Sequence, residues 1–171
     1  LNGGRPSLFF ILKGETAMEM EELTREEAIR RHRLVWNWIA DETEKTGELI
    51  TKKDAFKHFG WNISDAFTLC WCCEWAYRKS YVDLDNQASL CSYCPLNWSN
   101  GEKKVLKATC SHIMTNDGYV KDGLYEQWFF KTYGETYGEE DHAEASRLAR
   151  IIANLPEKSM TIMWVKTILL L

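Results

Sequence analysis

Four of the six cysteines in this 171-residue chain fall into two Cys-x-x-Cys pairs, Cys70/Cys73 in Cys70-Trp71-Cys72-Cys73 and Cys91/Cys94 in Cys91-Ser92-Tyr93-Cys94. Seventeen residues separate the pairs, inside the C-x2-C-x15–20-C-x2-C spacing of structural zinc sites. Two intervening residues let both sulfurs of a pair reach one ion at about 2.3 Å, and a second pair completes the tetrahedron that zinc prefers. Thiolate softness favours zinc or an iron–sulfur cluster over magnesium or calcium, and spacing alone leaves the cluster open. Disulfides remain a second reading, but they need an oxidising compartment. Buried, unliganded thiols acting as small hydrophobes are a third. A thioredoxin-like redox motif is disfavoured, because no βαβ pattern surrounds either pair.

Fifteen residues separate Cys94 from Cys110-Ser111-His112, so Cys110 and His112 are further candidate metal ligands. Cys72 stands between two expected ligands, and its side chain should point elsewhere. His32, His58 and His142 read as ordinary helix histidines. Pro95 stiffens the chain leaving Cys94. Trp71, Trp75, Tyr77, Tyr93 and Trp98 crowd the pairs and read as a small aromatic core shielding the thiolates, with a base-stacking surface as the sharper alternative.

The elements that must position these cysteines are helices. Thr24-Arg25-Glu26-Glu27 matches a capping box, with Thr24 accepting from the Glu27 N–H and Glu27 reaching back. The helix should run to about Glu44 and stop at Gly47. Its apolar stripe is Ala28/Ile29, His32, Val35/Trp36 and Ile39/Ala40. Leu34 and Trp38 share a different face, which is either buried by a second element or docks a partner. Thr51-Lys52-Lys53-Asp54 opens a second helix, with Ala55, Phe56 and Phe59 inward and Gly60 as its stop. Periodicity is then lost over 61–110. Leu124–Phe129 reads as a short helix ending by Gly134. Glu139-Glu140-Asp141 opens a last helix through Ala145, Leu148, Ala149, Ile152 and Leu155, closed by Pro156, with Arg147 and Arg150 suited to its C-terminal dipole. No repeat and no long β-alternation occurs. The expected fold is mainly α: a small helical domain with an irregular zinc-binding insert built on four cysteines.

Residues 1–17 and 157–171 do not read like the middle. Leu8–Leu12 is too short for a signal-peptide core and lacks cleavage-site residues. Lys13-Gly14-Glu15 just ahead of Met18 suggests a translated leader. The apolar tail, interrupted by Lys166, falls short of the ~20 residues of a membrane-spanning helix, and is expected to be docked or non-native. A single zinc-binding domain over 18–156 is therefore expected, in the cytoplasm. The net charge is −4; each end carries +1, which leaves −6 on residues 18–156. Between Lys52 and Cys110, eight basic side chains face six acids, and four thiolates around Zn²⁺ offset that excess with about −2. Phosphate binding needs a basic face, so nucleic acid is disfavoured. Glycine-rich phosphate loops, His-Glu-x-x-His and G-x-S-x-G are all missing from the sequence. The deaminase order, His-x-Glu before Pro-Cys-x-x-Cys, does not occur. Four thiolate ligands also close a zinc site to activated water, so the residues argue against an enzyme.

Taken in order, Glu27-Ala28-Ile29-Arg30-x-His32-Arg33-x-x-Trp36-x-Trp38-Ile39-Ala40, Cys70…Cys73, Cys91-x-x-Cys94-Pro95-Leu96-x-Trp98, Tyr125-x-x-Trp128 and Ala149-x-x-Ile152-Ala153-x-Leu155-Pro156 carry a resemblance. The chain resembles small cysteine-pair, zinc-finger-like proteins of phages and prophages of Gram-positive bacteria over about 25–156. The resemblance implies a phage-associated protein in the host bacterial cytoplasm, with a metal-bound cysteine cluster and often a further cysteine downstream, as Cys110 is here. It implies no particular activity. The expected function is that of an accessory protein with structural zinc at Cys70, Cys73, Cys91 and Cys94, binding a host or phage protein through Leu34 and Trp38. The alternatives are a zinc-ribbon-like nucleic-acid-binding regulator and, third, a nuclease-like phage enzyme.

Overall fold

A computed structural model describes residues 22–66, 69–80, 91–99, 105–133 and 141–159. The leader expected over 1–17, most of the 157–171 tail and the Glu139-Glu140 helix opening lie outside the described residues.

Helix α1 (Arg25–Thr46) starts where Thr24 accepts from the Glu27 N–H at 3.1 Å and ends at Gly47, whose φ of 67° is left-handed. Only glycine adopts that conformation without a Cβ penalty. The reciprocal half of the expected capping box gives way to ion pairing: the Glu27 carboxylate accepts from Arg30 at 2.7 Å and from Arg31 at 2.5 Å. Guanidinium–carboxylate bonds are stronger than one more bond to a neutral N–H. Helix α2 (Lys52–His58) has the complete box, with Thr51 and Asp54 each capping the other's backbone. A 3-10 turn (Ile63–Asp65) follows.

Helix α3 (Trp71–Ser80) lies within the stretch expected to be irregular. Its buried positions Trp71, Cys72, Trp75 and Ala76 do fall on one helical face, but two of them also belong to the group read as a shield for the metal site. Three strands follow, β1 (Val105–Ala108), β2 (His112–Thr115) and β3 (Val120–Asp122), as an antiparallel sheet in the order β1-β2-β3. The β1–β2 register shifts between Val105 and Lys107. At three or four residues each, the strands are too short to show an alternation. Helix α4 (Leu124–Thr132) and helix α5 (His142–Ala153, capped by Asp141) complete the fold. It is mainly α, with a small sheet in its middle.

The core lies where α5 packs along α1, with α4 against α5 and α3 against α1. Ile39, Leu148 and Ile152 are 1% exposed or less, and Trp128 crosses Trp36 edge-on at 4.8 Å. Burying each such side chain stabilises the fold by roughly 1.5–3 kcal/mol. Polar ties fix the seam: Ser146 donates to Ala40 O at 3.1 Å, and Arg150 meets Asp41 and Glu44 at 2.6 and 2.7 Å. After α5 the chain runs back over the second cysteine pair. Asn97 N donates to Pro156 O at 2.8 Å, Lys158 N to Pro95 O at 2.7 Å, and Glu157 bridges to Leu96. Arg25 clamps this return, 2.8 Å from the Glu157 carboxylate. Among the described residues no helix is long and apolar enough to cross a membrane.

Candidate metal centre

Three separate segments carry the cysteines. Cys70 stands at the entrance to α3, where its carbonyl accepts the Glu74 N–H at 2.9 Å. Leu69 just before it has a φ of 53°, a left-handed conformation that costs a residue with a side chain roughly 1–2 kcal/mol. That turn redirects the chain into α3 and puts Cys73 in its first turn. Cys72 is fully buried and donates to Ala28 O in α1 at 3.7 Å. Its sulfur therefore goes to the α1–α3 interface.

The second segment opens with Cys91 on one helical turn and closes with buried Cys94. The Cys94 sulfur accepts from the Trp98 indole N–H at 3.4 Å and from the Leu96 backbone. Lys158 donates its ammonium to Cys91 O at 3.1 Å, tying the returning chain to this pair.

Cys110 rides the tight turn between β1 and β2. There Thr109 N donates to His112 O at 2.8 Å, and His112 N donates to Thr109 Oγ1 at 3.0 Å. The start of α4 clasps the turn from behind: Gly123 N bonds Ser111 O at 2.6 Å and Tyr125 N bonds Cys110 O at 3.0 Å. A Cβ on Gly123 would sit 2.4 Å from Cys110 O, so only glycine permits this approach.

The thiols interact as two pairs. Cys73 hydrogen-bonds to Cys70 and holds that thiol well below the usual range, while Cys73 itself is pushed up. Cys110 likewise hydrogen-bonds to Cys91, which brings Cys110 down to about 7 and raises Cys91. In each pair the hydrogen bond favours charge on one sulfur and the proton on the other. Cys94, raised to about 11 by burial, lies within electrostatic reach of Cys70, Cys73 and Cys91.

His32 also belongs here, although the sequence placed it among ordinary helix residues. It is 2% exposed, hydrogen-bonds Cys70, and has Nε2 3.2 Å from Ile152 O. Its ring meets Trp98 edge-on at 6.1 Å. The one signal for it was a polar side chain one turn after Ala28 on the apolar stripe, which does not separate a site residue from a core histidine.

No three described His, Cys, Asp or Glu side chains are gathered into a ready-made metal cage. The donor chemistry nonetheless suits a soft ion. Cys70 with Cys73 and Cys91 with Cys110 are coupled pairs, and their protons are those a divalent cation would displace. An N–H donor on the Cys94 sulfur resembles the outer hydrogen bonds that orient metal ligands. His112 is exposed on β2. Leu34 is 37% exposed, whereas Trp38 is half-buried by α2, stacked on His58 at 4.5 Å and edge-on to Phe59. Of the aromatics, Trp71, Trp75 and Trp98 are buried and Tyr77 is exposed. The indole N–H groups of Trp71 and Trp75 have no hydrogen-bond partner among the described residues.

A cleft of about 310 Å³ between the α1 entrance and α3 has Glu27, Arg31, Trp71 and Arg78 in its walls. Its charges are already matched, Arg31 to Glu27 and Arg78 to Glu74, which leaves little field for a charged substrate. No protein-family model, curated protein or solved structure matches the chain.

Proposed function

We propose that the chain is a phage or prophage accessory protein that binds a host or phage protein, its fold held together by a structural zinc centre. The supporting observation is that Cys70 is coupled to Cys73 and Cys91 to Cys110, while Lys158 of the returning chain donates to Cys91 O at 3.1 Å. Cys70, Cys73, Cys91 and Cys94 are the four ligands that the spacing offers. Zinc there would supply cross-linking and no reaction step. The chain's own residues do the remaining work: Trp98 orients Cys94, Lys158 pins the Cys91 backbone, and His32 ties Cys70 to α5.

Leu34, on the expected docking face, is an exposed apolar side chain, and it supports protein binding in preference to phosphate binding. Arg30 and Arg31 are engaged with Glu27, and Arg33 with Glu157, so the basic run on α1 is neutralised within the protein. The test is co-purification from phage-infected cells with the full chain and with Leu34→Asp. The reading predicts a protein retained by the parent and lost from the variant at unchanged zinc content. Salt-sensitive retention on DNA, with no protein retained, would contradict it.

A further inference from the structure

All six cysteines are free thiols, and the backbone at the start of α3 favours one pair of them for joining first under an oxidant. We infer that Cys70 and Cys73 are the oxidation-sensitive dithiol of this protein, closing to a disulfide under a peroxide and so withdrawing two sulfurs from the metal centre. The withdrawal of ligands rests on the metal reading above; the choice of pair does not.

Cys70 O accepts the Glu74 N–H at 2.9 Å, the bond that opens α3. Cys70 is therefore the N-cap of this helix, and Cys73 stands three residues on in the same turn. An α-turn sets such Cα atoms about 5 Å apart, inside the roughly 4.4–6.8 Å that a disulfide spans. Leu69, left-handed at a φ of 53°, turns the chain just ahead of Cys70, and Cys72 points away to Ala28 O at 3.7 Å. Cys70 and Cys73 are both half-buried, and a hydrogen bond joins them. Their bond can close within one turn, with no segment moved against another.

The other thiols are less well placed. Cys72 is fully buried, and Cys94 is 5% exposed with its sulfur accepting from the Trp98 indole at 3.4 Å. Cys91 and Cys110 are half-buried too, but they lie on separately braced segments. Lys158 ties Cys91 O at 3.1 Å, and backbone bonds from Gly123 and Tyr125 clasp the Cys110 turn.

The chemistry balances with hydrogen peroxide as oxidant. One sulfur attacks a peroxide oxygen, the O–O bond breaks, and the departing hydroxide takes up that thiol's proton as water, leaving a sulfenic acid. The second sulfur attacks the first. The S–S bond forms, the S–O bond breaks, and the second thiol's proton leaves with the hydroxyl as another water. Two thiols lose two electrons and two protons, and the peroxide becomes two waters. Zinc is held by thiolates, so a centre that includes Cys70 and Cys73 loses two ligands.

The test uses the full-length reduced chain, loaded with zinc and treated with limiting hydrogen peroxide. Remaining thiols are blocked with N-ethylmaleimide, and non-reduced tryptic peptides are mapped by mass spectrometry. Cys70, Cys72 and Cys73 share the peptide His58–Arg78, Cys91 and Cys94 share Ser80–Lys103, and Cys110 lies on Ala108–Lys121. The first disulfide is expected within His58–Arg78 with the maleimide on Cys72, and a chromogenic chelator should register about one zinc released per disulfide. A first disulfide that includes Cys72, Cys91, Cys94 or Cys110, or no disulfide at all, overturns the inference. A Cys70–Cys73 disulfide that leaves the zinc bound overturns the withdrawal of ligands. A chain that takes up no zinc overturns the metal reading instead, and the same pair must then still close first in the metal-free chain.

Discussion

Cys72 sits between two expected ligands in the sequence but sends its sulfur to Ala28 O, inside the α1–α3 interface. A substitution there is a packing change at a fully buried site. Cys72→Ala should cost about 1 kcal/mol, the average for a point substitution, and leave the metal content unchanged. Thermal melting and metal analysis of the variant check both halves, and lost zinc would place Cys72 in the centre. Gly123 is a second decisive residue. Gly123→Ala forces a Cβ to within 2.4 Å of Cys110 O, and overpacking of this kind typically costs about 1–3 kcal/mol. Denaturant unfolding should show that loss, while Gly118→Asn at the far turn, where a Cβ meets nothing, should be milder. Spacing singles out four cysteines as candidate ligands, because two intervening residues suit one ion. The contacts of Cys110 and His32 were not, since each depends on a distant segment: Cys110 meets Cys91, and His32 meets Cys70 and Ile152.

Helices announce themselves through caps and stripes, and α1, α2, α4 and α5 were legible on those grounds. Strands of three and four residues carry no such signature, and β1 to β3 were missed for that reason. α3 was missed because its apolar face is made partly of Trp71 and Trp75, which were read as a shield for the metal site. The start of α1 offers a pH test. Arg30 and Arg31 hold the Glu27 carboxyl at about 2 in the folded chain, below the roughly 4.3 of an unfolded glutamate. A depressed carboxyl contributes stability that is fully present above the unfolded value and is lost as pH falls through the folded one. The parent should therefore lose stability relative to Glu27→Gln between about pH 5 and pH 2, by no more than about 1 kcal/mol for so exposed a group. Urea unfolding at several pH values measures this, and parallel curves for the two proteins would show that the ion pairs contribute nothing. At the α1–α5 seam, Ile152→Ala should cost about 2–5 kcal/mol, the usual penalty for a core cavity. A loss under about 1 kcal/mol in the same unfolding assay would mean that this interface is not the centre of the fold.

At the scale of the whole molecule, the cysteine segments are held by parts of the chain far away in sequence. Arg25, Glu157 and Lys158 close over Pro95 and Leu96, so both ends of the described chain meet at the second pair. A net charge of −4, with α1's arginines engaged by acids of the same chain, suits recognition of a protein better than of a phosphate backbone. A metal bound at the junction of α1, the sheet and the returning chain would convert its affinity into folding energy, with apparent values of roughly 10–16 kcal/mol for zinc-finger peptides. Elemental analysis of the full chain, purified under reducing conditions without added metal, tests this most directly. The account predicts about one zinc per chain, removed by a chelator together with the cooperative melt of the cysteine region. A chain that carries no metal, takes up none, and melts identically with and without chelator would contradict it.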